Sequence, residues 1–157
     1  MSTYSTNSTP ATKTVVITSG YFNPIHPGHI ECFYMARKLG DKLIVIMNND
    51  AQAKFKRGVE SFQDEDFRMK IVKSIKWVDE VILSTDQEVS ICGTMENLLK
   101  ELRADLEVGK IIFAKGGDRF AREVPEGLLC EKYGVEIVDG LGAKTHNSSD
   151  YAKKQVK

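Results

Sequence analysis

The sequence predicts an α/β fold: one parallel sheet with helices on both faces. Apolar, β-branched runs alternate with segments whose apolar residues recur at helical spacing, in the order β-α-β-α-β-α-β-α-β-α. The chain has 157 residues, which suits a single domain with one sizeable core. Polar or glycine-containing segments follow the strands. Because ligands of such folds bind beyond the carboxyl ends of the strands, one site is expected at that edge of the sheet.

Five strands and five helices account for the apolar runs. The strands are predicted at Thr14–Thr18, Lys42–Met47, Trp77–Leu83, Lys110–Ala114 and Val135–Val138. The helices are predicted from Pro27 to a stop at Gly40, from a start near Ser61 through Ile75, at Val89–Ala104, at Pro125–Tyr133, and in a last helix opened by Ser148 and Ser149. Between the second strand and the second helix, the segment from Lys54 to Gly58 is expected to be a cationic loop.

Composition excludes several classes of function. The 22 basic and 22 acidic residues balance, so no surplus of positive charge indicates a nucleic-acid partner. No apolar run approaches the length of a membrane span. Cys32, Cys92 and Cys130 lack CxxC spacing and are expected to be reduced thiols of a cytoplasmic protein. Residues 1–12 are rich in Ser and Thr and are expected to be a disordered leader before a single domain at 13–157.

The segment from Gly20 to His29 reads GYFNPIHPGH and joins the first strand to the first helix. His26 and His29 are three residues apart, so they can share one face of the helix, and Pro27 suits its first position. Two imidazoles would then lie beside backbone N–H groups at the positive end of a helix, which is a phosphate-binding arrangement. The alternative is that both histidines are ordinary surface or N-cap residues.

This segment resembles the HxGH signature of the cytidylyltransferase-like nucleotidyltransferases, and the resemblance extends from about Val15 to Lys153. It is similar to glycerol-3-phosphate cytidylyltransferases, and closer to the adenylyltransferase domain of ADP-heptose synthases. Further matching segments are Ala36–Asp41, Trp77–Val81, Lys115–Asp118 and Ser148-Ser149. The resemblance implies a Rossmann-like, doubly wound five-stranded sheet of order 3-2-1-4-5. A homodimer is also expected.

The resemblance also implies the reaction and the residues that perform it. A phosphate oxygen of the acceptor attacks the α-phosphorus of a nucleoside triphosphate, and pyrophosphate leaves, with Mg²⁺ bridging triphosphate oxygens. The expected catalytic residues are His26, His29 and Lys54. The expected nucleotide-binding residues are Gly20, Tyr21, Phe22, Asn23, His26, His29, Lys115, Gly116, Gly117, Asp118, Ser148 and Ser149. The expected contacts to the substrate phosphate are Lys54, Lys56, Arg57, Arg68 and Lys144, and no residue is assigned as a metal ligand.

Elementary chemistry fits the absence of an evident carboxylate–histidine dyad in the sequence. A phosphate monoester has a second pKa near 6, so it is mostly dianionic at pH 7 and needs no general base to become a nucleophile. Catalysis then reduces to positioning and to stabilising charge at the phosphates. His26 and His29 are expected to donate hydrogen bonds as that charge develops.

Several alternatives remain open at this stage. ATP with a sugar or polyol phosphate is the main expectation, from the Lys115–Asp118 segment. A CTP-dependent enzyme acting on glycerol phosphate is the second. Asn23-Pro24 also occurs in nicotinamide-mononucleotide adenylyltransferases, although the family often has Asp at that place. Asp150 stands where the late serine motif of the family has a third hydroxyl residue. Before that motif an arginine is common in the cytidylyltransferases, and the nearest cation in this sequence is Lys144. A non-catalytic nucleotide sensor is a further alternative, whereas an aminoacyl-tRNA synthetase would need a far longer chain.

Simpler interpretations compete with the individual site residues. The cations from Lys54 to Arg57 could form an ordinary solvated surface, and Arg68 could be an ordinary exposed arginine. The glycines after Lys115 could make a plain turn. Ser148 and Ser149 could serve only as helix caps.

Overall fold

The computed structural model describes residues 12–116 and 125–141. In these ranges it contains one five-stranded sheet whose strands lie in the order β3-β2-β1-β4-β5. Every neighbouring pair is parallel. The strands are β1 (Lys13–Gly20), β2 (Lys42–Met47), β3 (Glu80–Leu83), β4 (Val108–Gly116) and β5 (Glu136–Leu141). The predicted fold class and strand order are therefore confirmed.

Five helices connect or flank these strands in the described ranges. They are α1 (Pro27–Arg37), α2 (Asp50–Arg57), α3 (Glu65–Lys73), α4 (Cys92–Ala104) and α5 (Glu126–Tyr133). None of the helices in the part of the chain described here combines the length and the apolar character needed to cross a bilayer. The predicted leader and the predicted last helix at Ser148 lie outside the described residues, apart from Thr12.

Two apolar clusters, one on each face of the sheet, make the fold doubly wound. Alternate residues of a strand point to opposite faces, so Val15 and Ile17 of β1 enter one cluster and Val16 enters the other. The first cluster is completed by α4 and α5, with Met95 and Leu99 fully buried. The second is completed by α1 and α3, which contribute residues such as Phe33 and Val72.

β1 lies at the centre of the sheet, and its carboxyl end is where the chain order reverses. Ile17 pairs with Ile44 of β2 on one side and with Phe113 of β4 on the other. From β1 the chain first winds through β2 to β3 and then returns to β4 and β5. A crevice forms at such a switch point, since the flanking connections leave in opposite directions. The segment after Gly20 opens into it.

The structure corrects the expected cationic loop, because Lys54, Lys56 and Arg57 belong to the last turns of α2. Asn49 and Gln52 form a capping box at the start of this helix. Gly58, with a φ of 76°, takes the left-handed conformation at its end. Most of the eight residues of this helix are polar, which is why the segment was predicted to be a loop.

Several other boundaries differ from the prediction, and three of them have a clear physical reason. α3 begins at Glu65, and its N-cap is Asp64, three residues after the expected cap at Ser61. β3 begins at Glu80, because the preceding residues make a turn in which Val78 N–H donates to the Ile75 carbonyl. α4 begins at Cys92, since the residues from Val89 to Ile91 are held in a loop by contacts described below.

Candidate active site

Two histidines lie at the start of α1, just beyond the end of β1. His26 is the N-cap of the helix, and its Nδ1 accepts a hydrogen bond from the Gly28 backbone N–H at 3.1 Å. His29 occupies the third helical position, and its Nδ1 accepts from the His26 backbone N–H at 3.1 Å. The pair forms a reciprocal capping box in which imidazoles replace the usual hydroxyl and carboxylate. The N-cap interpretation is therefore correct, and the predicted role of the two histidines in catalysis stays a prediction.

This capping determines which ring nitrogen carries the proton. A neutral imidazole has one N–H donor and one acceptor, so a ring whose Nδ1 accepts holds its proton on Nε2. The rings of His26 and His29 stack with their centroids 3.7 Å apart and their planes 21° apart. Both Nε2–H donors thus belong to one ordered pair beside the positive end of α1. The predicted placement of the two histidines on one face is confirmed.

A strained turn after β1 packs against this pair. Phe22 has a φ of 52°, in the left-handed region that bulky residues rarely adopt. Its ring is almost fully buried and makes edge-on contacts with His29 at 5.0 Å and with Phe33 at 5.2 Å. A Cβ on Gly20 would come within 2.8 Å of the same ring. The turn therefore holds His29 by packing, and strain of this kind is typical of functional sites.

Asn23 lies buried in the same turn, before a cis peptide bond to Pro24. Its Oδ1 accepts a hydrogen bond from the Gln63 backbone N–H at 2.9 Å. The side-chain oxygen thus connects the turn after β1 to the segment before α3. The predicted contact of Asn23 with a nucleotide stays a prediction beside this structural contact.

A cavity of about 480 Å³ opens at the carboxyl end of β1. It lies between the strand ends, α2, the loop after β3 and the start of α5. Its lining residues are Ser19, Gly20, Tyr21, Asn48, Phe55, Lys56, Glu88, Val89, Ser90, Ile91, Lys115, Pro125 and Glu126. Small-molecule sites occur at this position in open α/β sheets, and the volume is in the range of known ligand pockets.

Two of the predicted cations, Lys56 and Lys115, line this cavity. The Lys56 Nζ lies 4.8 Å from the centroid of the Tyr21 ring. The Lys115 Nζ donates to the Ser19 hydroxyl at 2.9 Å. These two lysines are almost sixty residues apart in the sequence, and the fold brings both to the same cavity. Glu88 and Glu126 line the same cavity, so the formal charges of its lining balance, and the two ammonium groups are local partners that a phosphate could use.

Lys54 and Arg57 are not among the residues that line this cavity. The Lys54 Nζ makes an exposed ion pair with Glu60 at 3.0 Å. Both side chains lie in the last turns of α2, where cations interact favourably with the helix dipole. For these two residues the solvated-surface interpretation fits the structure better than a catalytic role for Lys54.

Arg68 departs from both sequence-based interpretations, since its side chain is fully buried. Its guanidinium donates to the backbone carbonyls of Tyr21, Asn48 and Gln63 at 2.7 to 2.9 Å. It also pairs with Asp50 at 2.7 Å. The prediction that Arg68 contacts a substrate phosphate was wrong for this structure, because its nitrogens are directed at protein atoms. Arg68 instead joins the ends of β1 and β2 to α2.

Gly116, at the end of β4, has a packing reason to be glycine. A Cβ at this position would lie 3.0 Å from the Cys32 Sγ and 3.2 Å from the Leu141 carbonyl oxygen. Close approach of backbone at this edge therefore does not depend on a bound nucleotide. The other predicted residues of this group, Gly117 and Asp118, lie outside the described residues, as do Lys144, Ser148 and Ser149.

The loop between β3 and α4 was not predicted to be part of the site, yet it supplies Glu88, Val89, Ser90 and Ile91 to the cavity. A signal was present, because Ser84-Thr85-Asp86 follows a strand end directly. Asp86 caps α4, accepting from the backbone N–H groups of Gly93 and Thr94 at 3.1 and 3.0 Å. The loop is therefore ordered by specific contacts.

The cysteines do not supply a nucleophile. All three are free thiols. Burial raises the pKa of Cys130 to about 12, and the Glu126 carboxylate adds to the effect. Burial also raises the pKa of Cys32 against the opposing influence of Lys115, and it raises the pKa of Cys92. Because the thiolate is the reactive form, these residues are inert near neutral pH.

The fit of the site to Mg²⁺ can be judged from its donor set. In residues 12–116 and 125–141, no group of three or more His, Cys, Asp or Glu side chains is placed to hold a metal ion. The Asn23 oxygen already accepts from Gln63. Mg²⁺ keeps several waters and is commonly bound through substrate phosphates with few protein ligands. The residues thus fit an ion that arrives with a triphosphate.

Comparisons with known proteins agree with the geometry. A family model described as cytidylyltransferase-like matches residues 17–138. The FAD synthase of Pyrococcus abyssi is 33% identical over 123 residues, which are 78% of this chain and 77% of that protein. The bifunctional protein HldE of Streptomyces coelicolor is 33% identical over 129 residues, 80% of this chain and 25% of that protein. The chain therefore spans about a quarter of HldE, and its matches to FAD synthases cover 60% to 77% of those proteins.

A solved structure supports the same assignment. The lipopolysaccharide core biosynthesis protein from Thermoplasma volcanium superposes with a TM-score of 0.60 and 27% identity, over 83% of this chain and 98% of that chain. The family match covers well over half of this sequence, including the carboxyl end of β1, the histidine pair and the cavity loops. It confirms the resemblance stated from the HxGH segment. The chain belongs to the cytidylyltransferase-like family.

Proposed function

We propose that this protein is a nucleotidyltransferase, which transfers the adenylyl group of ATP to a small phosphate monoester. An oxygen of the acceptor phosphate attacks the α-phosphorus, and a new P–O–P linkage forms. The bond from the α-phosphorus to the oxygen bridging to the β-phosphorus breaks, and pyrophosphate leaves with that electron pair. No proton need be removed from the attacking oxygen, since the monoester is mostly dianionic at pH 7.

The observation that carries the proposal is the stacked pair of His26 and His29 at the switch point of the sheet. Their Nδ1 atoms accept backbone N–H groups, so their Nε2–H groups are the donors for a ligand. The N-terminus of α1 adds its own positive potential at the same place. Donors held in place before the reaction stabilise charge that builds on phosphate oxygens in the transition state.

The neighbouring cavity supports binding of the acceptor. Lys56 and Lys115 provide charge for a phosphate, while Ser19, Asn48 and Ser90 provide hydrogen-bonding groups suited to hydroxyls. The cavity adjoins Gly20, which directly precedes the turn that leads to the histidines. An acceptor bound there would have its phosphate near the end of β1. Binding two substrates side by side in this way supplies most of what such a reaction requires.

We also propose that Mg²⁺ binds together with the triphosphate. It would neutralise charge on the phosphate oxygens, and water and those oxygens would be most of its ligands. The role of this chain is to hold the nucleotide's phosphates beside α1 with the histidine donors.

The proposed acceptor is a sugar or polyol phosphate, from the resemblance of Lys115–Asp118 to the ADP-heptose synthase segment. A second candidate is FMN, a phosphate monoester of a polyol chain, which the similarity to FAD synthases favours. CTP in place of ATP and nicotinamide mononucleotide as acceptor remain further alternatives. Lys115 and the packing of Gly116 are compatible with each of these.

The experiment is a matrix of initial rates of pyrophosphate release. ATP, CTP, GTP and UTP are each paired with heptose 1-phosphate, glycerol 3-phosphate, FMN and nicotinamide mononucleotide. We expect ATP to be the fastest nucleotide with a sugar or polyol phosphate. A rate with CTP ten times that with ATP would contradict the choice of nucleotide, and activity with nicotinamide mononucleotide alone would contradict the choice of acceptor. No pyrophosphate with any pair would contradict the proposed function.

A further inference from the structure

The loop from Ser84 to Ile91, which forms one wall of the cavity, is held by the first turn of α2. Gln52 is fully buried, and its Nε2 donates to the backbone carbonyls of Glu88 at 2.7 Å and Ser90 at 3.2 Å. Its Oε1 accepts from the Asn49 backbone N–H at 2.9 Å. Both amide hydrogens and the amide oxygen of Gln52 are therefore engaged.

Asn49 makes the same kind of contact with the earlier part of the loop. Its Nδ2 donates to the carbonyls of Ser84 and Asp86, each at 2.8 Å, while its Oδ1 accepts from the Gln52 backbone N–H. Two side-chain amides thus bind four carbonyls of a segment that has no helix or strand of its own. Buried carbonyls need such partners, so these amides determine where the loop lies.

The same helix also carries a cation of the cavity. Phe55 and Lys56 follow Gln52 on α2 and line the same cavity as Glu88 to Ile91. Gln52 therefore connects the helix that carries Lys56 to the loop that forms this wall. A change in the Gln52 contact would move the wall relative to Lys56 without altering either group chemically.

We propose that Gln52 is a positioning residue for the acceptor substrate: it fixes the Glu88–Ile91 wall so that the acceptor fits between this wall and Lys56. This inference rests on the proposed function, since it concerns the acceptor of the same reaction. It predicts that acceptor binding depends on Gln52, whereas the nucleotide contacts of His26 and His29 do not.

The test uses Gln52→Met, which keeps the length of the side chain and removes all three hydrogen bonds. We expect the KM for the acceptor to rise by roughly 10- to 100-fold, because small displacements of positioning groups have effects of that size. The KM for ATP should change less than about twofold. The matched control is Arg103→Met, because Arg103 also donates to three backbone carbonyls, those of Gly109, Tyr133 and Gly134, away from the cavity. Arg103→Met should lower the melting temperature without changing either KM.

A second variant keeps the test decisive if Gln52→Met does not fold. Val89 is partly exposed on the loop and lines the cavity. The larger side chain of Val89→Trp should therefore occupy part of the cavity beside this wall. We expect it to raise the KM for the acceptor and to leave the KM for ATP unchanged. Equal effects of Gln52→Met on both KM values, or an unchanged acceptor KM in Val89→Trp, would overturn the inference while the proposed function stands. Absence of turnover by the wild-type protein with every acceptor would contradict both.

Discussion

Each of the two histidines serves the helix and the proposed reaction with different atoms of one ring. Nδ1 caps α1 and Nε2–H is the donor for phosphate. This division explains why the sequence alone could not separate the N-cap interpretation from the catalytic one. Spacing showed that His26 and His29 can share a face, but only the backbone geometry shows that their Nδ1 atoms cap α1, which is compatible with the role proposed for Nε2.

The separate roles of Nδ1 in capping and of Nε2 in the proposed reaction can be tested with the variant His26→Asn. Asparagine is a preferred N-cap, so its side-chain oxygen can replace Nδ1 as acceptor for the Gly28 N–H. It has no donor at the position of Nε2. We expect a melting temperature close to that of the wild type and a kcat lower by about 10²- to 10³-fold, the loss typical for one transition-state donor. Calorimetric binding of ATP should change far less. A wild-type kcat in His26→Asn would exclude the catalytic role.

The two lysines of α2 offer a matched pair. Lys56→Met removes the cation that lines the cavity, and Lys54→Met removes one that pairs with Glu60 outside it. We expect Lys56→Met to raise the KM for the acceptor by roughly 10-fold and to reduce its dependence on salt. Lys54→Met should behave like the wild type. If both variants raised the acceptor KM equally, α2 would contribute only its overall positive charge and Lys56 would make no specific contact.

At the scale of elements, the hydrophobic pattern predicted the fold well. β2 was predicted with its observed bounds, because Lys42–Met47 is an unbroken buried run between clear stops. α2 was missed, since most of its eight residues are polar and its start is marked by a capping box of two amides, Asn49 and Gln52. The burial of Arg68 could not be predicted either. Its partners come from the segments after β1 and β2 as well as from the residues just before α3, and the first two are close to Arg68 only in the folded chain.

α2 and α3 are coupled through Asp50, and the coupling should depend on pH. Burial alone would raise the pKa of Asp50, but hydrogen bonds from the Glu65 N–H and from Arg68 hold that pKa below its ordinary value. A carboxylate with a lowered pKa contributes stability above its unfolded pKa of about 4, and this contribution is lost as the pH falls further. Asp50→Asn should therefore reduce the free energy of unfolding at pH 7 by about 1 to 2 kcal/mol.

Urea denaturation of both proteins from pH 7 to pH 3 would measure this effect. The difference between wild type and Asp50→Asn should narrow as the pH falls below about 4, where the Asp50 carboxyl of the unfolded chain takes up a proton. Glu60→Gln is the control, because its ion pair with Lys54 is exposed and contributes little. A difference that stays constant across this range would show that the charge of Asp50 does not stabilise the fold.

At the scale of the whole molecule, the parallel sheet gathers groups that are distant in sequence at the end of β1. His26 follows β1, Lys56 lies after β2, Ser90 after β3 and Lys115 at the end of β4. The general position of the site followed from the sequence, because every strand of such a sheet directs its carboxyl end to one edge. The shape of the cavity could not be predicted from the sequence, because it depends on the contacts that the Asn49 and Gln52 amides make with the loop after β3.

The most direct test of the central claim follows the phosphorus atoms of the nucleotide. The protein is incubated with an acceptor and with ATP labelled either at the α-phosphorus or at the γ-phosphorus. Attack at the α-phosphorus predicts that the α-label enters the acceptor product and that the γ-label appears in pyrophosphate. Transfer of the γ-label to the acceptor, or release of the γ-label as orthophosphate with ADP, would contradict nucleotidyl transfer at the histidine pair.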